Sequence, residues 1–295
     1  MTTLAALVEE CYGVLYGVGR AERPQEDTLN GGISDSDTTM TVTTEAMWKR
    51  GDYAEFDTDG ELVIFAADAS GATAIRRAQR GTTAAAQADG SVIYRNPTFP
   101  RYEIERLITQ VVRNELWPNV WTWHNDTLSY TAGDTTYDLG DYIEDVVNVY
   151  QYDLNSSARW YPFDQTWWSV ERQVNASGGA ASGNLLRLAH VRDDSETVYY
   201  TAKRRPHIND LANMDDEVAE LIPWAVAGKL EGQRSVAVRH RPATGATERM
   251  EGGLFKDYRG FMSEFIRMRK ALNTKLAREV PTAPRFQARR RRKAF

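Results

Sequence analysis

Four histidines, one cysteine and several neighbouring carboxylates are the side chains of this 295-residue sequence best suited to chemistry. Their spacing decides how far that chemistry goes. His124, His190, His207 and His240 lie far apart, and none falls in the HExxH arrangement that puts two imidazoles on one helix face, so no local zinc site is written here. Cys11 is the only cysteine, which excludes an intrachain disulfide and a thiolate-rich metal site. With no basic neighbour to stabilise a thiolate, it reads as a small buried hydrophobe. The carboxylate pairs Asp193 with Asp194 and Asp215 with Asp216 sit in a turn and at a helix start, where local structure accounts for them. Asp57, Asp59 and Glu61 resemble part of a calcium loop but lack its full pattern, and turn chemistry explains them better. A phosphate-binding Gly-rich loop and a GxSxG elbow are both missing. The sequence nominates no catalytic residue, no metal ligand and no cofactor, and the expectation is a protein that is not an enzyme.

Charge and aromatic content say more. Thirty-six basic residues against forty-one acidic ones give a net of −5, but the last eleven positions, RFQARRRRKAF, hold six basic residues and no acid. Without them thirty basic residues face forty-one acidic ones, a net of −11. An acidic body with a basic arm could dock that arm on an acidic protein partner, set it against nucleic-acid phosphates, or leave it solvated. Six of the eight tryptophans (Trp117, Trp121, Trp123, Trp160, Trp167, Trp168) fall within about fifty residues of one another. Such indoles serve as core or interface anchors, or as platforms for sugar rings.

The elements that would position these groups follow from hydrophobic periodicity. Leu4, Leu7, Val8, Cys11, Val14, Leu15 and Val18 recur at helical spacing, and residues 1–20 are expected to form an amphipathic helix. Residues 21–37, polar with Pro24 and the Gly31–Gly32 pair, read as a linker. From 38 to 95 the period changes to two, in short segments parted by Gly and Asp, which implies a small β module. Residues 96–118 form the spine: Pro97 and Pro100 suit a helix entry, and Ile104, Leu107, Ile108, Val111, Val112 and Leu116 share one face opposite Arg101, Glu105, Arg106 and Arg113. Residues 119–205 return to β character as a second module. Residues 206–280 return to helix, ending in a near-heptad seam from Leu254 to Leu276, and 281–295 form the basic extended arm. The implied fold class is α+β: a helical bundle from both chain ends and the central helix, carrying two β-rich inserted modules. No apolar run approaches the ~18 residues of a membrane span, and the first residues lack a basic signal-peptide start, so synthesis in the cytosol is expected.

Two stretches resemble known families. TMTVT through GDYAEFD, ELVIF and RAQRGTTAAAQADGSVIY is similar to a small β module recurring in tailed-phage virion proteins. YDLGDYIEDVVNVYQYD resembles the strand, turn and strand of phage head-to-tail adaptors, including the tail tubular proteins of short-tailed phages, with Gly140 in the position of a proline. The resemblance implies a structural virion protein in the neck between capsid and tail, present in the host cytoplasm during assembly. Its partners would be the portal protein, neighbouring copies in a ring expected to be twelve, the next tail component, and genomic DNA passing through without sequence-specific binding. No membrane is involved. Arg285, Phe286, Arg289, Arg290, Arg291, Arg292, Lys293 and Phe295 would form the portal-binding arm. Arg101 and Arg113 on the spine, with Trp160, Trp167 and Trp168 on the second module, are the candidate subunit or tail contacts. The alternatives are a glycan-binding virion protein using the tryptophans and a DNA-binding protein using the arm.

Overall fold

The computed structural model describes residues 2–18, 24–128, 135–139, 142–153, 159–171, 184–189, 197–239 and 247–279. They divide into two compact units, one of Thr2–Val111 with Ala219–Ile266, the other of Val112–Val218 with the chain from Arg267. Among the described residues there are five α-helices: α1 (Leu4–Tyr12), α2 (Arg101–Val111), α3 (Asp216–Ala219), α4 (Leu221–Arg239) and α5 (Thr247–Arg278).

The first unit is built on an antiparallel sheet of six short strands, β1 (Gln25–Thr28), β2 (Thr39–Met40), β3 (Tyr53–Phe56), β4 (Leu62–Phe65), β5 (Thr73–Arg76) and β6 (Val92–Arg95), in the order β1-β6-β3-β4-β5-β2. Its core gathers Trp48, Phe56, Phe65, Ile93, Met40 and Val42, with Trp48 stacked on Phe65 at 4.8 Å between centroids. The indole N–H of Trp48 donates to buried Asp27 of β1 at 2.7 Å, so the one polar atom of that ring is satisfied inside the core. A charged pair lies equally deep. Arg77 donates from Nε and Nη2 to the two oxygens of Glu61, and Nη2 also donates to the carbonyl of Ala85. Glu61 takes the backbone N–H groups of Ala78 and Ala85 as well, which leaves no charge unpaired. In the same unit α1, α2 and α4 pack on one another. Leu7, Val8, Cys11 and Leu15, the spine residues Ile104, Leu107, Ile108 and Val111, and Leu221, Ile222, Ala225, Val226, Ala227 and Leu230 are all buried there. Gly228 lies so near α5 that a Cβ on it would fall 2.6 Å from Met262 Sδ, and Trp224 meets Phe261 at 6.1 Å.

The second unit holds seven strands in two sheets: β7 (Thr122–Leu128), β8 (Thr136–Asp138), β9 (Ile143–Asp153), β10 (Arg159–Pro162), β11 (Trp168–Glu171), β12 (Leu185–Leu188) and β13 (Val198–Arg204). One sheet runs β10-β9-β13-β7, the other β11-β12-β8, both antiparallel. The two share one core, in which Tyr137, Leu186 and Leu188 meet Val149, Val198 and Tyr200.

The expectation of an α+β helical bundle formed by both chain ends around a central helix is overturned. The architecture is β-rich, with the six-stranded antiparallel sheet and two smaller sheets carrying most of it. The period-3.6 segments do form helices, but the spine is α-helical only to Val111, passes through a π turn at Val112–Leu116, and ends at a cis Trp117–Pro118 bond. Long regular helices give a strong signal per residue, whereas strands of two to four residues give almost none and were outweighed. The stretch read as a linker also contains β1, whose Gln25–Thr28 pairs with Val92–Arg95. Its composition is polar because three of those four residues are not buried; only Asp27 turns inward.

Two substitutions probe these cores. Arg77→Ala leaves Glu61 buried and unpaired and is expected to cost about 3–5 kcal/mol, read as a lower urea midpoint. Val111→Asp places a charge at a fully buried spine position and is expected to abolish the cooperative transition; a native-like melt for either variant contradicts the packing described.

Candidate functional site

One concave site of the first unit is a cavity of about 310 Å³ between α1 and the sheet. Strand register builds its floor. Glu26 of β1 pairs with Tyr94 of β6, and Tyr94 with Glu55 of β3, so these three side chains stand in one row on one face of the sheet. Asp57, two residues beyond Glu55, also lines the cavity, its side chain hydrogen-bonded with Tyr94. The roof comes from the N-terminal helix: Glu9, Tyr12 and Tyr16 fall at i, i+3 and i+7, one face of α1 and the π turn that follows it. Tyr12 and Tyr16 stack at 5.6 Å between centroids with their planes 17° apart, and Phe99 closes one side at 6.2 Å from Tyr16. Pro24 and Pro97 complete the wall.

Glu55 is the group that sets the electrostatics. It is 2% exposed. Its Oε1 accepts the backbone N–H of Arg101 at the start of α2, and its Oε2 has no hydrogen-bond partner among the described residues. The Arg101 guanidinium is turned elsewhere, donating to Glu105 at 3.0 Å and to the carbonyl of Asp57 at 2.9 Å. Burial therefore dominates, and with Glu105 and Asp57 adding repulsion it pushes the Glu55 carboxyl up to about 8 despite the Arg101 contacts. The same burial, together with the charge of Glu55, raises Tyr12, and burial with Asp57 lifts Tyr94 to about 12. The site thus offers aromatic faces, exposed carboxylates at Glu9, Glu26 and Asp57, and one buried carboxyl with a spare oxygen.

The residues singled out from sequence do not assemble there. Arg101 does not line the cavity; it borders it through its backbone N–H on Glu55 and its guanidinium on the carbonyl of Asp57. Arg113 lies in the second unit, exposed, its carbonyl accepting from Arg205 at 3.1 Å. Among the tryptophans, Trp121 and Trp123 meet edge to face at 5.9 Å, and Trp168 packs against the second core. Trp167 is 42% exposed and meets Phe163 edge to face at 6.1 Å, so no row of exposed indoles is formed among the described residues. Strand β10 contains Trp160, whose side chain is outside the described residues. The arm residues Arg285, Phe286, Arg289, Arg290, Arg291, Arg292, Lys293 and Phe295 also lie outside them, as do His190 and His240. His207 stacks on Tyr142 at 4.1 Å and accepts from the N–H of Asn209, a capping role. His124 faces Asp126, and burial lowers its pKa, with Arg204 adding to the effect. Among the described residues no three His, Cys, Asp or Glu groups converge to hold a metal ion. The fragment Asp57–Asp59–Glu61 is accounted for otherwise: Asp59 holds the turn by accepting from the N–H of Glu61, and Glu61 belongs to Arg77.

The sequence pointed to neither Glu55 nor Tyr94. The i, i+3, i+7 stripe of Glu9, Tyr12 and Tyr16 was a readable signal, a polar aromatic edge on an otherwise apolar helix; the partner row on the sheet depends on strand order. Comparison with known proteins adds no relative: no family model matches the chain, and no curated protein or solved structure gives a significant match.

Glu55 also makes a signed prediction about stability. A carboxyl that ionises near 4.5 when unfolded and near 8 when folded holds an extra proton in the folded state between those values. Its contribution is therefore fully present below pH 4.5 and is lost as pH rises to about 8. Glu55→Gln keeps the shape and removes the charge, so relative to the parent chain it is expected to gain stability between pH 5 and pH 9, by roughly 4 kcal/mol. Urea midpoints of both proteins across that range check it; parallel curves contradict the assignment.

Proposed function

We propose that this chain is a structural virion protein, a head-to-tail adaptor that joins the capsid portal to the tail of a tailed phage and lets DNA pass. The charge division carries the reading: a body of net −11 repels phosphates, while six basic residues are collected in the last eleven positions, free of acid, as a docking arm. The resemblance of the two quoted stretches supports the phage assignment. A supporting structural point is that the TMTVT-to-SVIY stretch, together with the segment from Gln25 to Ile33, folds around one core. In this reading the subunits form a ring, expected to be of twelve, with Trp167 available as an anchor for a neighbour or for the next tail component. The helical-bundle form of the adaptor plan is no part of it.

Mixing the protein with its portal should give rings visible by electron microscopy, and deleting residues 285–295 should weaken docking at least tenfold while the circular dichroism spectrum stays unchanged. Portal binding that survives the deletion intact rules out the arm. Absence of rings in the mixture rules out the adaptor.

A further inference from the structure

The cavity between α1 and the first sheet has no part in the adaptor reading, yet its chemistry is selective. Three exposed carboxylates at its edges repel anions, and the tyrosine faces attract cations through the ring quadrupole. The second observation is Glu55, nearly completely buried, with an oxygen that no described group satisfies. Glu55 lines the cavity, so that oxygen is where the N–H of an entering cation would be received. Metal ions are a poor fit, since among the described residues no three ligating groups converge. A larger, flat or tetrahedral cation with several N–H donors can instead span carboxylates that a metal cannot bridge. At about 310 Å³ the cavity is at the small end of ligand sites, the size of one side chain and not of a dinucleotide.

We propose that this cavity is a binding site for an arginine or lysine side chain presented by a partner polypeptide, the cation lying against Tyr12 and Tyr16 and donating to Glu55 Oε2, with Glu26 and Asp57 at its rim. Entry of the cation ionises Glu55, so binding expels a proton into solvent. The charged and titratable groups facing Glu55 are Glu9, Tyr12 and Tyr16 from the N-terminal helix and its π turn, Glu26 from β1, Asp57 after β3, Tyr94 from β6, and Arg101 and Glu105 from α2. All but Arg101 are acidic groups or phenols, so an added cation meets one competitor, and that one is already paired.

The test is calorimetric titration of the full chain with N-acetylarginine amide at pH 7 in two buffers of different ionisation enthalpy. One saturable site is expected, with close to one proton released per ligand. N-acetylcitrulline amide, the neutral isostere, should bind at least tenfold more weakly. Glu55→Gln should weaken capped arginine at least tenfold and abolish proton release; Glu26→Gln, an exposed change that leaves the buried carboxyl in place, should weaken it several-fold with release retained. The proposal is overturned by the absence of saturation at tens of millimolar, by equal binding of citrulline, or by proton release unaltered in Glu55→Gln. Spermidine binding tenfold more tightly than capped arginine would transfer the site from a polypeptide side chain to a free polyamine, and would overturn it too.

Discussion

The buried pair of Arg77 and Glu61 is the interaction on which the first unit depends. Glu61 immediately precedes β4 and Arg77 follows β5, so the pair ties the ends of the two strands together, and the guanidinium reaches further, to the carbonyls of Ser34 and Ala85. Three connecting segments without regular structure are thereby held to one point. Two of their residues need that support. Ala78 and Arg80 have φ of 52° and 54°, left-handed angles that cost non-glycine residues about 1 kcal/mol or more each. The Ala78 N–H donates to Glu61, and Arg80 lies over the ring of Tyr53 at 4.7 Å, so both are held in place by contacts that the strained angles make possible. A small sheet of two- to four-residue strands has little ladder of its own, and a charged core with every donor matched supplies geometric definition where apolar packing alone would leave loops free to shift.

Glu55 uses the opposite arrangement. It too is a carboxylate deep in the first unit, but the nearest cation, Arg101, gives it a backbone N–H and points its guanidinium away. One group is neutralised by a bidentate partner; the other is left to solve its burial by holding a proton. The difference arises from position. Glu61 immediately precedes a strand, beside a loop that can wrap it, whereas Glu55 sits mid-strand under the first turn of α2, where the helix offers orphan N–H groups but no room for a guanidinium fork. Gly60 tightens the same corner, since a Cβ there would lie 2.9 Å from Arg101 Cδ. The turn and the helix start are packed against each other, and the carboxyl between them has nowhere to go.

Much of the local structure was legible in the sequence. The spine face from Ile104 to Leu116 is buried residue for residue, and the alternating segments of both β regions correspond to strands. What was not legible was the weight of those strands in the whole. Gln25–Thr28 is polar and shows no periodicity, and only Thr39–Met40 of the alternating TMTVT stretch is a strand, yet these two form the edges of the six-stranded sheet. A helix states its buried face within its own eleven residues; a strand of four states it only through partners that lie up to seventy residues away, as Gln25 and Arg95 do. Burial of Glu55 is a case in point. Its strand reads outward-facing by alternation, but all of Ala54, Glu55 and Phe56 are buried, because α2 covers the face that would otherwise meet water.

The cavity has the same origin, and this explains why its residues looked unremarkable one by one. Glu26, Tyr94 and Glu55 come from three strands and become neighbours through antiparallel register alone. A shift of one residue in β6 would replace Tyr94 in that row by a side chain from the opposite face, putting a core residue such as Ile93 among carboxylates. Register here is pinned from outside the row: Asp27 holds Trp48 and the N–H of Thr44, and Arg95 pairs with Asp52 at 2.8 Å while reaching Gln25 at 3.1 Å. These bonds fix β1, β6 and the start of β3 to one alignment, and the facing row follows without contributing to it. Of the cavity's carboxylates, Asp57 is engaged with Tyr94 and one oxygen of Glu55 with the N–H of Arg101, while Glu9 and Glu26 stand exposed at its edge.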